Sequence, residues 1–248
     1  MITIKQQIAQ EIARDYAAIP EVVAVVLGGS LGTGVADDRS DIDLYVYSRT
    51  PVPLSARAAI AGRRSTDAEV DNRFHEPGDE WVEAASGIAV DVMFREIAWI
   101  EGEIERTLHH HQASLGYSTC LWANILASQI LFDRSGWFAL LWKLTNQPYP
   151  EPLRRAIIEK NHRFLRQARS SYRRQIEKAI TRDDEVSINH RVAAYLASYF
   201  DILFAVNRVP HPGEKRLLTL ATEHCPTLSV GMADDVRTLL HAAGSSGD

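Results

Sequence analysis

Leu27–Tyr47 reads LGGSLGTGVADDRSDIDLYVY, and the fold turns on it. It begins at the end of Val22–Leu27 (VVAVVL), a short β-branched run with no polar face, which predicts a strand buried on both sides. Gly28-Gly29-Ser30 then lets the backbone take positive φ and approach a ligand closely. The serine adds a hydroxyl, and successive N–H groups can form a nest for an anion. Asp41–Tyr47 (DIDLYVY) alternates: Ile42, Leu44 and Val46 point one way, and Asp41, Asp43, Tyr45 and Tyr47 the other. Carboxylates at i and i+2 of a strand sit side by side, and each raises the other's pKa; a cation between them relieves the repulsion. Alone, GGS is a tight turn and SDIDL a solvent-facing strand end. In this order and spacing they point to a site for a phosphate chain and a divalent metal.

Gly87–Arg95 (GIAVDVMFR) carries a second oddity. Ile88, Val90, Val92 and Phe94 share one face, and Asp91 stands in the middle of the other. If this strand adjoins the DIDLYVY strand, Asp41, Asp43 and Asp91 converge. Hard oxygen ligands suit Mg²⁺, which completes its shell with water and substrate phosphates. Three carboxylates on a sheet can hold two such ions, one activating an attacking oxygen and one stabilising the leaving oxygen. Other phosphate motifs fail: Val35 stands where a Walker A loop needs lysine, and Asp37 breaks the dinucleotide pattern.

Outward from this core, Ile4, Ile8, Ile12, Tyr16 and Ile19 form one helical stripe that Pro20 ends. A short helix is predicted over SARAAIAGRR, a strand over Ala68–Phe74, and a turn at EPGDEW, which starts at Glu76. After about Glu96 strand-like runs stop. EIAWIEGEIERTL, CLWANILASQILF, WFALLWKL, the charged stretch Pro152–Arg182 and the apolar stretch Val192–Val206 have helical periodicity. The expected fold is α+β: a mixed β-sheet with flanking helices over residues 1–112, then an all-α helical bundle over residues 113–248.

The 248 residues are 46% hydrophobic and 24% charged, with a formal net charge of -5, enough apolar content for a real core. There is no basic excess, so charge suggests no nucleic-acid surface. MITIKQQIAQEIARDY lacks the apolar stretch of a signal peptide, and no run of about 18 apolar residues predicts a membrane span. Cys120 and Cys225 lie far apart, which argues against a disulfide framework and for a reducing cytoplasm. His109, His110 and His111 face different directions and make a poor metal site, while the run from Arg154 to Lys178 includes Glu159 and Glu177 and reads as a solvated face. Trp81 stands among Glu76, Asp79, Glu80 and Glu83 close to the Asp91 strand. That group offers an acceptor-pocket wall, a general base or a seat for a cationic acceptor.

LGGSLGTGVADDRSDIDLYVY with IAVDVMF resembles the nucleotidyltransferase superfamily that includes DNA polymerase β and the aminoglycoside nucleotidyltransferases. The resemblance implies that Asp41 and Asp43 bind Mg²⁺ and that Asp91 binds metal or takes the proton from an acceptor hydroxyl. It assigns Gly29 and Ser30 to the nucleotide phosphates. FDILFAVNRVPHPGEKRLLTL, from Phe200, is similar to the helical domain of the antibiotic-modifying members, where a lysine after a turn reaches the triphosphate; Lys215 stands at that place. The layout also resembles bacterial two-domain nucleotidyltransferases more widely. The implied activity is Mg²⁺-dependent transfer of a nucleoside monophosphate from ATP or another nucleoside triphosphate to a hydroxyl, releasing pyrophosphate. The implied acceptor is a small hydroxylated molecule such as an aminoglycoside, or a side chain of a protein partner. A catalytically silent nucleotide-binding module is the remaining reading, and three mutually repelling carboxylates argue against it.

Overall fold

Thr3 caps the first helix, α1 (Ile4–Ala17): its hydroxyl accepts from the Gln6 N–H, and the Gln6 side chain accepts from the Thr3 N–H. Ile8, Ile12 and Tyr16 carry the buried stripe, whereas Ile4, at the first turn, is 58% exposed. The computed structural model describes residues 3–29, 31, 40–73 and 76–244 of the chain. Among these, no helix is long and apolar enough to cross a membrane.

Strands β1 (Val22–Leu27), β2 (Ile42–Ser48), β3 (Ala68–Asn72), β4 (Gly78–Val82), β5 (Ala89–Glu96) and β6 (Gln129–Asp133) form one sheet in the order β3-β4-β5-β2-β1-β6. Only β2 and β5 run parallel; the other neighbours are antiparallel. Helix α2 (Leu54–Gly62) lies between β2 and β3 in sequence, so the parallel pair is joined through α2 and the β3–β4 hairpin. One face of the sheet presents Leu27, Ile42, Leu44, Val46, Val90, Val92 and Phe94 to α1 and α2, a continuous apolar core. Helices α3 (Ile97–Ile104) and α4 (Cys120–Ala127) come next, and α5 (Trp137–Thr145) follows β6. On the opposite face Tyr47 packs on Trp137 and Phe138 of α5, at centroid distances of 5.3 and 5.4 Å. Both faces are therefore covered at this end, which is why β1 is buried along its whole length.

The α+β architecture is as expected, with two departures. QILFD, at the end of a stretch with helical periodicity, is the edge strand β6 paired to β1. A short apolar run fits either period, and pairing with β1 decides it. GDEWV, expected as a turn, is β4 in the sheet interior between β3 and β5. Its inward positions are Asp79 and Trp81, and the aspartate disguises the alternation because buried Arg57 neutralises it: Arg57 Nε donates to Asp79 Oδ2 at 3.0 Å.

The chain divides into two compact units. The first holds the described residues up to Ile104 and Asn124–Gln147; the second holds Glu105–Ala123 and the described residues from Pro148 onward. The second unit is helical: α6 (Glu151–His162), α7 (Tyr172–Thr181), α8 (Glu185–Asn207), α9 (Leu217–His224) and α10 (Met232–Gly244). At its centre Asp201 accepts from the Ser118 N–H and hydroxyl at 3.0 and 2.6 Å and from Asn161 Nδ2 at 3.0 Å. Burial pushes the Asp201 carboxyl up to about 6.

Candidate active site

The parallel register of β2 and β5 sets Asp43 directly opposite Asp91. These residues are 48 positions apart in sequence, and their strands are neighbours only because the β3–β4 hairpin pairs on the far side of β5. Both are half-buried, on the face turned away from the α1–α2 core. The register continues across the hairpin: Asp91 stands opposite Glu80, and Glu80 opposite Glu69. Four carboxylates thus lie in one row across four strands, about 4.8 Å from strand to strand. Like charges directly opposite one another on a sheet are destabilising. Such a row is stable where cations or polar ligands meet it.

Gly28 and Gly29 close the other side of Asp43. The Gly28 N–H donates to the Asp43 carbonyl at 2.9 Å, extending the β1–β2 ladder by one bond. Gly29 has φ +56°, and a Cβ on it would collide with Asp43 Oδ2. Only glycine lets the turn lie this close to that carboxylate. Ser30 lies outside the described residues, so of the expected phosphate loop the structure gives Gly29 and its contact with Asp43.

Asp41 is exposed, just ahead of β2, and lines a cavity of about 400 Å³ together with Asp91. The cavity wall also includes Asp67, Glu69, Glu80 and Trp81. It lies where β2, β3 and β5 begin and β4 ends. The structure sorts the acidic residues around Trp81 by function. Asp79 faces the apolar core and binds Arg57. Glu76 binds Arg95, and Glu83 accepts from Trp81 Nε1 at 3.2 Å and Arg64 Nη1 at 3.4 Å. Glu80 alone of the four lines the cavity, with Asn72 Nδ2 donating to it at 2.8 Å. Sequence reading missed Asp67 and Glu69; the one available signal was that Glu69 alternates with Ala68 and Val70 on a strand predicted there.

Among the described residues, no group of three or more His, Cys, Asp or Glu side chains gathers closely enough to hold a metal ion. What the sheet provides is a pair, Asp43 beside Asp91, with Asp41 two positions ahead of the first. That donor set fits Mg²⁺, which proteins commonly hold through one or two carboxylates plus substrate phosphates. Lys215 belongs to the second unit, exposed in the segment that leads to α9. In the same segment His211 is fully buried and its Nδ1 accepts from the Gly213 N–H at 3.1 Å.

Residues 5–114 match the family described as "Nucleotidyltransferase domain", which places this part of the chain in the nucleotidyltransferase superfamily. Residues 118–217 match the "Domain of unknown function (DUF4037)". No curated protein matches the chain. Among solved structures it is similar to a nucleotidyltransferase-like protein from Exiguobacterium sibiricum 255-15, at 15% identity over 99% of this chain and 77% of that one, TM-score 0.44. It is also similar to the STING-associated CdnE c-di-GMP synthase from Capnocytophaga granulosa, at 12% identity over 98% and 79%, TM-score 0.32. A third is the Thermotoga maritima CCA-adding enzyme complexed with tRNA, at 10% identity over 97% and 70%, TM-score 0.33.

Proposed function

We propose that the protein is a Mg²⁺-dependent nucleotidyltransferase that moves a nucleoside monophosphate from a nucleoside triphosphate, ATP foremost, to a hydroxyl of a small acceptor. The observation that carries this reading is the in-register pair Asp43–Asp91, with the Gly29 backbone pressed against Asp43. Asp43 and Asp91 would hold the Mg²⁺, with Asp41 in the adjoining cavity wall; the ion would neutralise phosphate charge and lower the pKa of a bound hydroxyl. Asp91, opposite Asp43 and itself in the cavity wall, would take the proton of the acceptor hydroxyl. The hydroxyl oxygen forms the new bond to the α-phosphorus as the bond to pyrophosphate breaks. Gly29 and Ser30 would bind the departing phosphates through backbone N–H and hydroxyl.

The acceptor is an amino-bearing polyol, of which an aminoglycoside is the type. Asp67, Glu69 and Glu80 in the cavity wall support that reading, because ammonium groups would relieve the repulsion in the row. Two free cysteines, Cys120 and Cys225, fit a reducing cytoplasm.

The test is incubation with labelled ATP, CTP, GTP and UTP, Mg²⁺, a panel of amino polyols and, separately, cell-lysate proteins. Label on a polyol with pyrophosphate released, and its loss in Asp43→Asn and Asp91→Asn, is the expected result. Label on a protein instead would move the acceptor to a partner polypeptide. Full activity in Asp43→Asn would end the assignment.

A further inference from the structure

Two positions beyond the Asp43–Asp91 pair, the same strands place Tyr45 opposite Met93, and two further, Tyr47 opposite Arg95. Arg95 is 6% exposed and every arm of its guanidinium is engaged. Nε and Nη2 donate to the two Glu76 oxygens at 2.7 and 2.9 Å, and Nη1 donates to Asn124 Oδ1 at 3.0 Å and the Tyr47 hydroxyl at 3.5 Å. Its central carbon lies 4.1 Å from the centroid of the Tyr45 ring. A planar cation held by a carboxylate fork presents its flat face to an aromatic ring, a geometry lysine does not reproduce. The Tyr45 ring meets the Gly28 backbone so closely that a Cβ there would collide with Tyr45 Cε2. Gly28 in turn is bonded to Asp43, and Gly29 lies against the Asp43 carboxylate.

These contacts form one line: Glu76, Arg95, Tyr45, Gly28–Gly29, Asp43. We propose that Tyr45 and Arg95 are positioning residues for the nucleotide site. The Glu76-held guanidinium fixes the Tyr45 ring, and the ring fixes the glycine turn against Asp43. The inference rests on the nucleotidyl-transfer reading of the same site. It adds a supporting layer beneath the turn. An ordinary core ion pair would contribute to stability alone; this one also sets where the Gly28–Gly29 turn stands.

The experiment compares Tyr45→Leu, Tyr45→Phe, Arg95→Lys and Glu76→Gln with the wild type in the full chain. Backbone amide hydrogen exchange at Gly28 is read first, because it needs no nucleotide. Tyr45→Leu and Arg95→Lys should speed it at least tenfold, while Tyr45→Phe, which keeps the ring, should leave it near wild type. Mg²⁺-ATP affinity by calorimetry is read second and should fall about tenfold in Tyr45→Leu, with Tyr45→Phe within about twofold. Unchanged Gly28 exchange in Tyr45→Leu overturns the proposal whatever nucleotide does. A wild type that binds no nucleoside triphosphate overturns the proposed function instead, and the exchange data still decide the mechanical link. If Tyr45→Leu does not fold, Glu76→Gln loosens the same guanidinium from a partly exposed position, and unchanged exchange there is equally fatal.

Discussion

Replacing Gly29 by alanine attacks the candidate site without removing a charge or a hydrogen bond. The residue has φ +56°, a conformation that costs a residue with a Cβ roughly 1–2 kcal/mol. The added methyl would also occupy the place of Asp43 Oδ2, so either the turn opens or the carboxylate rotates away. The strain alone predicts a fall in Tm of about 2–8 °C, at roughly 2–4 °C per kcal/mol for a chain of this size. Displacing Asp43 removes a charge-assisted contact worth about 1.5–3 kcal/mol, so Mg²⁺-ATP should bind roughly ten- to a hundredfold more weakly. Titration calorimetry with ATP at fixed Mg²⁺, with thermal unfolding of the same samples, separates the two effects. Gly29→Ala that loses Tm yet binds Mg²⁺-ATP like the wild type would show that the turn's contact with Asp43 has nothing to do with nucleotide.

Glu69→Gln together with Glu80→Gln should raise KM for an amino polyol several-fold while leaving KM for the nucleotide unchanged; equal changes in both would remove the cavity from acceptor binding. Asp79→Ala strands the buried Arg57 and should cost about 3–5 kcal/mol, whereas Arg57→Leu with Asp79→Leu should recover much of it, read by denaturant unfolding. Burial raises the Asp201 carboxyl from 3.8 to about 6, so the folded state favours its neutral form. Its contribution is full below about pH 4 and is lost as pH rises through 6, a change of about 3 kcal/mol. Burial lowers His211 from 6.5 to about 4, so its contribution is full above about pH 6.5 and is lost as pH falls through 4. The two slopes oppose each other. Asp201→Asn should therefore leave a protein that weakens on acidification relative to the wild type, and a wild-type-minus-variant difference constant from pH 4 to 7 would refute the argument.

Much of the fold was legible because its strands obey simple patterns. VVAVVL is apolar on both sides because both faces of β1 are covered, and DIDLYVY and IAVDVMF each bury their even-numbered apolar residues in the α1–α2 core. The lone Asp91 on an apolar strand was conspicuous for the same reason. What the sequence hid depends on partners. β4 reads as a turn because its core position is filled by Asp79, and nothing local tells that Arg57 waits there 22 residues earlier. β6 reads as helix because ILASQILF has no punctuation and only the exposed edge of β1 makes a strand of it. Tyr45 and Arg95 look like ordinary strand residues; their meaning lies in a ring against a glycine backbone, which no spacing rule records.

The arrangement also divides one row of carboxylates between two supports. Asp43 and Asp91 sit on the central parallel pair, buttressed by the glycine turn on one side and the Tyr45–Arg95 stack further along the strands. Glu69 and Glu80 sit on the β3–β4 hairpin at the sheet's edge, which is anchored to the rest of the unit by the β4–β5 ladder and by the buried Arg57–Asp79 pair on the opposite face. Because side chains alternate faces along a strand, the residue that anchors the hairpin (Asp79) and the one that lines the cavity (Glu80) are adjacent in sequence and separate in space. The cavity wall can therefore change without moving the anchor, and the anchor lies outside the cavity lining. A hairpin built this way can vary its cavity-facing side chains while Asp43 and Asp91 keep their register.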